Sequence, residues 1–221
     1  MSAELHRPRS VIFDLGGVLI DWNPRYLYRE LFRGDTAAME RFLGGVCTPA
    51  WNQRQDEGRP IAEAEAELIG RHPGEAEMIR AYYGQFERML GGAIDGTVAI
   101  LEDLHRRGVP LYALTNWSAE TFRHARPRFG FLERFRAIMV SGEERMAKPD
   151  PRFFRLLLER HGLTARDCVF IDDAPHNVAG ARAVGLHALE FRDPDRLKDE
   201  LGSLGFFAPA LSTNFPDGDA I

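Results

Sequence analysis

Cysteine is nearly absent from this chain: Cys47 and Cys168 are its two thiols in 221 residues, and neither sits in a CxxC spacing. That excludes a disulfide framework and a thiolate zinc site, and it fits a reducing, cytoplasmic setting. Cys168 lies in an apolar run and reads as a small buried hydrophobe. Long apolar stretches are lacking as well. No segment approaches the roughly 18 residues needed to span a bilayer, and the polar opening from Met1 to Ser10, with Arg7, Pro8 and Arg9, lacks the pattern of a secretory signal. Nor is there a basic excess, since 28 Lys and Arg face 33 Asp and Glu for a net charge of -5. This opposes binding to nucleic acid or anionic membrane, which needs clustered cations. The arginine-rich stretch from Arg123 to Arg136 is interrupted by Pro127, Phe129, Phe131 and Phe135 and reads as a solvated helix and loop. Internal repeats and low-complexity tracts are missing too.

What is present is an alternation. From residue 94 onward apolar strand runs alternate with helical patterns, as in a parallel sheet built from crossover units. The expected strands are 10–15, 110–115, 136–140, 167–172 and 186–191. Val98, Leu101 and His105 mark one face of a helix that Gly108 stops. A second helix has Asp150 as its cap, Pro151 in its first turn, an apolar stripe of Phe153, Phe154, Leu157 and Leu158, and Gly162 at its end. Residues 22–92 break the rhythm. They hold no convincing strand and are rich in Ala, Glu, Arg and aromatics, so an inserted helical subdomain is expected there. The expected fold is α/β: a Rossmann-like doubly wound parallel sheet formed by 1–21 and 93–205, a small helical cap at 22–92, and an irregular tail at 206–221.

Chemistry concentrates where apolar runs end. Val11-Ile12-Phe13-Asp14-Leu15-Gly16-Gly17 aims a carboxylate out of a strand into a glycine turn. Leu114-Thr115-Asn116 and Val169-Phe170-Ile171-Asp172-Asp173 end in the same way, while Ala147-Lys148-Pro149-Asp150 leads into a helix. In an open parallel sheet these ends share one edge, where ligands bind. Taken in order, the four motifs resemble the haloacid dehalogenase superfamily of hydrolases. They are similar to its glucose-1-phosphatase-like group and to the phosphatase-like domain found at the N-terminus of epoxide hydrolases.

The resemblance implies a role for each residue. Asp14 would attack phosphorus and form an aspartyl-phosphate. Asp14, Asp172 and the Gly16 carbonyl would ligate Mg²⁺, with Asp173 supporting the metal or orienting the lysine. Lys148 would offset the crowded anions, and Thr115 with the turn at Asn116 would donate to phosphoryl oxygens. One departure stands out: position 16, where phosphatases of this superfamily usually carry a second aspartate as general acid, holds glycine. Asp21, His176 and Asn177 are the candidates to replace it. Trp51, Asn52, Arg54 and Gln55 offer an aromatic face with hydrogen-bonding groups for a sugar, Arg54 also reaching phosphate. Trp117 reads equally as pocket wall or core lid. The expected activity is hydrolysis of a small phosphorylated metabolite, a sugar phosphate first. A haloacid dehalogenase using the same nucleophile and a low-turnover binding protein are the alternatives, and dimerisation through the cap or tail is left open.

Overall fold

The computed structural model describes residues 7–207. Five parallel strands form the main sheet in the order β5-β4-β1-β6-β7: β1 Ser10–Phe13, β4 Leu111–Thr115, β5 Ala137–Val140, β6 Cys168–Asp172 and β7 His187–Glu190. Each of the five expected strands is there. Their buried, Val/Ile/Leu/Phe-rich sequences suit a sheet covered on both faces. The pleat divides them: Val11, Phe13, Ala113, Val169 and Ile171 enter one apolar cluster, and Ile12, Leu114 and Phe170 the other.

Helices cover both faces. α6 (Asp95–Arg106) and α11 (Pro194–Ser203) pack on the first, α9 (Pro151–Arg160) and α10 (Pro175–Ala183) on the second, with the short α7 (Ala119–Ala125) and α8 (Ser141–Glu144) near the β4 and β5 ends. α9 follows its sequence signals closely. Asp150 accepts the Arg152 N–H at 2.9 Å, Pro151 occupies the first turn, and the four stripe residues are buried. Each such side chain contributes about 1.5–3 kcal/mol of burial. In α6 the expected helix is present but its buried face is Thr97, Ile100, Leu101 and Leu104, so Val98 is half-buried and His105 exposed.

Between β1 and α6 lie five helices: α1 Arg25–Leu31, α2 Thr36–Gly45, α3 Pro49–Asp56, α4 Ile61–Arg71 and α5 Ala76–Gly84. Aromatic contacts bind them, including Tyr28 on Phe42 at 5.1 Å and Trp51 edge-on to Tyr82 at 5.3 Å. The expectation of no strand within 22–92 is corrected here. β2 (Ile20–Trp22) and β3 (Leu90–Ala93) form an antiparallel pair that carries the chain into and out of these helices. Leu90-Gly91-Gly92-Ala93 has little intrinsic strand preference. A Cβ at Gly91 would collide with the Asp21 carboxylate and the Tyr26 ring, so glycine permits the close packing seen there. At the other end, Phe207 is buried, with the Arg107 guanidinium 5.2 Å from its ring; the expected tail beyond it lies outside the described residues.

Candidate active site

Three adjacent strands end at one edge of the sheet. Asp14 follows β1, with its N–H still in the ladder to the Ile171 carbonyl at 2.8 Å; Thr115 closes β4 and Asp172 closes β6. Lys148 arrives from the loop between α8 and α9 with its side chain wholly buried, its Nζ 2.9 Å from Asp14 Oδ2 and 2.6 Å from Asp172 Oδ2. The loop is held by a reciprocal pair: Asn116 Nδ2 donates to the Lys148 carbonyl and the Lys148 N–H donates to Asn116 Oδ1, both at 2.9 Å. The Asn116 side chain is therefore committed to placing the lysine.

Each carboxylate has fixed partners. Asp14 Oδ1 accepts the Leu15 N–H at 2.7 Å, which orients Oδ2 toward the lysine. Asp172 Oδ1 accepts from the Ala174 N–H at 2.9 Å and from Asn177 Nδ2 at 3.0 Å, so Asn177 serves Asp172 and is not a spare proton donor. Asp173 is exposed, yet oxygens of Asp14, Asp172 and Asp173 lie within 4.8 Å of one another. Burial raises the Asp14 pKa, and Lys148 only partly offsets this. Burial alone would lower the Lys148 pKa, but the two flanking carboxylates outweigh it and raise the value. Burial followed by the Asp172 charge also raises Asp173. Three carboxylates against one ammonium make a set of hard oxygen donors with unmet negative charge, which suits a hard divalent cation.

Backbone geometry permits the convergence. Gly17 has φ of 74°, and a Cβ there would strike the Asp173 carboxylate. At Gly16 an added Cβ meets nothing within 4 Å, so the position beside the nucleophile opens onto free space. Thr115 Oγ1 is buried and has no hydrogen-bond partner among the described residues. A buried hydroxyl in that state costs stability unless something else meets it.

A cavity of about 400 Å³ opens above this edge, walled by Lys148, Asn116 and His176 below and by Trp22, Asn52 and Tyr82 above. Two expected substrate contacts are corrected by it. Trp51 is 6 % exposed and packs edge-on to Tyr82 in the helical core, because residue 51 falls on the inner face of α3. Arg54 projects to another groove beside Glu57, Arg59 and Arg145. Trp117 is mostly core, its Nε1 bonded to Thr121 at 3.1 Å, though it also lines a small pocket with Gly16 and Asn116. Asp21 accepts the Tyr26 hydroxyl at 2.6 Å in the β2 and β3 ribbon, away from the cavity walls. His176 does reach the cavity, on its exposed rim. Both cysteines are buried, which pushes Cys168 up to about 11 and Cys47 up to about 12.

One residue escaped the sequence reading. Asp56, the last residue of α3, lines both the large cavity and the small pocket beside Gly16. Burial raises its pKa to about 8, with the Asp14 charge adding to the rise. Its signal was the i, i+4 spacing from Asn52, which puts the two on one helix face.

The profile of haloacid dehalogenase-like hydrolases matches residues 8–185. The chain belongs to that family. A sesquiterpene phosphatase from Aspergillus oryzae is 29% identical over 186 residues, spanning 84% of this chain and 90% of that protein. A phosphoserine phosphatase from Thermus thermophilus is 31% identical over 163 residues, or 69% of this chain and 65% of that one. A Bacteroides thetaiotaomicron enzyme of the same family, solved with magnesium and inorganic phosphate, superposes with a TM-score of 0.63 at 23% identity, covering 84% of this chain and 94% of that chain.

Proposed function

We propose that this hydrolase is a magnesium-dependent phosphatase that cleaves a small phosphorylated metabolite through an aspartyl-phosphate on Asp14. The observation that carries the reading is Lys148 lodged between Asp14 and Asp172 with Asp173 alongside. A nucleophilic carboxylate meets an anionic ester only where cations offset the repulsion, each contact amounting to about 4 kcal/mol at 4 Å with an effective dielectric of 20. Asp14, Asp172, Asp173 and the Gly16 carbonyl would hold Mg²⁺, which when bound screens these anions and polarises the phosphoryl group. Thr115 donates its free hydroxyl to a phosphoryl oxygen, and Asn116 holds the lysine in place. Residues 22–92 act as a cap that excludes water from the reacting groups.

A sugar phosphate is the favoured substrate, because Asn52, Gln53 and the Arg25–Glu40 pair line the cavity with polar groups. A second reading, an apolar organic phosphate such as a terpenyl phosphate, is supported by Trp22, Leu43, Cys47 and Tyr82 on the same walls and by the sesquiterpene phosphatase relative. A haloacid dehalogenase fits less well, since extra carboxylates repel an anionic haloacid. The test is a panel of sugar phosphates, terpenyl phosphates, p-nitrophenyl phosphate and 2-haloacids, assayed with and without Mg²⁺ on wild type and Asp14→Asn. Metal-dependent phosphate release that Asp14→Asn abolishes is expected. Metal-independent halide release, or silence on every substrate, would overturn the assignment.

A further inference from the structure

The reading as a phosphatase leaves one requirement unmet. When the P–O bond breaks, an alkoxide departs from sugar or alcohol esters, and an alkoxide is a poor leaving group unless protonated as it goes. Gly16, beside the nucleophile, has no side chain to supply that proton. Of the titratable groups around the cavity, Lys148 is bound to two carboxylates, Asp173 belongs to the carboxylate trio, and His176 stands on the exposed rim. Asp21 is engaged by Tyr26 outside it.

Asp56 is differently placed. It shares with Gly16, Asn116 and Trp117 a pocket of about 70 Å³ that has room for a water molecule or a leaving oxygen. Its Oδ2 accepts from Asn52 Nδ2 at 2.8 Å and the carboxyl also accepts the Ser118 backbone N–H, while Asn52 Oδ1 accepts the Tyr83 hydroxyl at 2.9 Å, so a short chain of groups fixes the carboxyl in the pocket. Its backbone is tied to the sheet. Ser141 Oγ donates to the Asp56 carbonyl at 2.5 Å and accepts the Trp117 N–H at 2.9 Å, registering the end of α3 against the ends of β4 and β5. Asp56 has no ion pair among the described residues.

We propose that Asp56, reaching in from α3, is the general acid and base that works opposite Asp14, and that Asn52 is its positioning residue. In the first half-reaction Asp14 Oδ2 bonds to phosphorus, the bond from phosphorus to the leaving oxygen breaks with its electron pair on oxygen, and that oxygen takes the Asp56 proton. Alcohol departs. In the second, the Asp56 carboxylate takes a proton from water as the water oxygen bonds to phosphorus, and the bond from Asp14 to phosphorus breaks with its electrons returning to Asp14. Inorganic phosphate leaves and Asp56 is protonated again.

The charge environment keeps Asp56 in its acidic form near neutral pH. Burial, with the Ser118 backbone N–H pulling the other way and the charges of Glu57 and Asp14 adding to the rise, brings its pKa to about 8. The Tyr82 and Tyr83 hydroxyls face it from α5 and stay neutral, because burial raises both well above the ordinary range. Elsewhere on the cavity walls Lys148 is occupied by Asp14 and Asp172, Arg25 by Glu40, and His176 stands at the rim.

The test compares wild type and Asp56→Asn on two esters with Mg²⁺ present: the best sugar or terpenyl phosphate of the panel, and 2,4-dinitrophenyl phosphate, whose leaving group needs no proton. With the alkyl ester, first-turnover alcohol release should fall about 10²- to 10⁴-fold. With the dinitrophenyl ester, a burst of one equivalent of phenolate should persist and then stall, because the phospho-enzyme has lost its base. The wild-type kcat/KM on the alkyl ester should decline at alkaline pH through an ionisation near 8, and that limb should vanish in the variant. Asp56→Ser repeats the pattern should the Asn variant not fold. Equal first-turnover losses on both esters, or an unchanged alkyl rate, overturn the assignment of Asp56 while leaving the phosphatase reading intact. A wild type that releases phosphate from neither ester defeats that reading itself.

Discussion

Replacing Asp56 by Asn should make the protein more stable, and the gain should grow with pH. In an unfolded chain the carboxyl titrates at its ordinary 3.8, whereas in the folded protein burial holds it at about 8. A folded pKa above the unfolded one is favourable below the lower value, and that advantage is lost as pH rises through the upper one. At pH 7 the folded chain must keep a proton that the unfolded chain has released, a cost of at most about 4 kcal/mol. Asp56 is only half-buried, and water in the cleft relieves part of this, leaving about 2 kcal/mol. Asn keeps an acceptor for Asn52 and does not titrate. Urea denaturation at fixed Mg²⁺ should therefore give coincident midpoints for the two proteins near pH 4 and a clear advantage for Asp56→Asn near pH 7.5. A variant weaker by the same amount at both pH values would show that the carboxylate is ionised and serves as a structural acceptor, and the reasoning would fail.

Lys148→Met should cost about 3–5 kcal/mol, because Asp14 and Asp172 are left as uncompensated buried charges. The lysine stays charged across the neutral range, its folded pKa being raised above its ordinary 10.5, but Asp14, already raised by burial to about 7, goes higher without the ammonium and stays protonated at the acid end; the deficit in denaturation should therefore grow between about pH 6 and 9. Thr115→Val removes a buried hydroxyl that has no partner among the described residues, so the melting temperature should hold or rise while kcat drops about 10²-fold; a large loss of stability would mean the hydroxyl is already satisfied. Gly17→Ala forces a side chain into positive φ and against Asp173, and calorimetry should find Mg²⁺ affinity weakened by about 10-fold or more. Unaltered affinity would separate Asp173 from the metal.

The sheet was legible because each strand is a short apolar run bounded by turn residues, and because Asp14, Thr115 and Asp172 end three such runs. α9 was legible for the same reason, with cap, proline and stripe all in agreement. The β2 and β3 ribbon was not, since two glycines in β3 erase its strand preference and its pairing depends on a contact with Asp21 far back in the chain. Around α3 the residue types are plain in the sequence but not their directions. Trp51 and Gln55 lie on the buried face, Arg54 points to another groove, and Asn52 with Asp56 lines the cavity that Asn116 and Lys148 share. An eight-residue helix without a clear apolar stripe does not disclose which side is inward. Asp56 appears as chemistry only once three dimensions set it opposite Gly16.

The clasp between Asn116 and the Lys148 peptide has a thermodynamic consequence. A lysine side chain loses about 2 kcal/mol of rotamer freedom when it is fixed. Here that loss falls within folding, where two amide bonds and two carboxylates hold the ammonium still, so it is not charged to the encounter with a ligand. An arriving anion meets an electrostatic field already aimed, and its affinity is not reduced by ordering the cation that receives it.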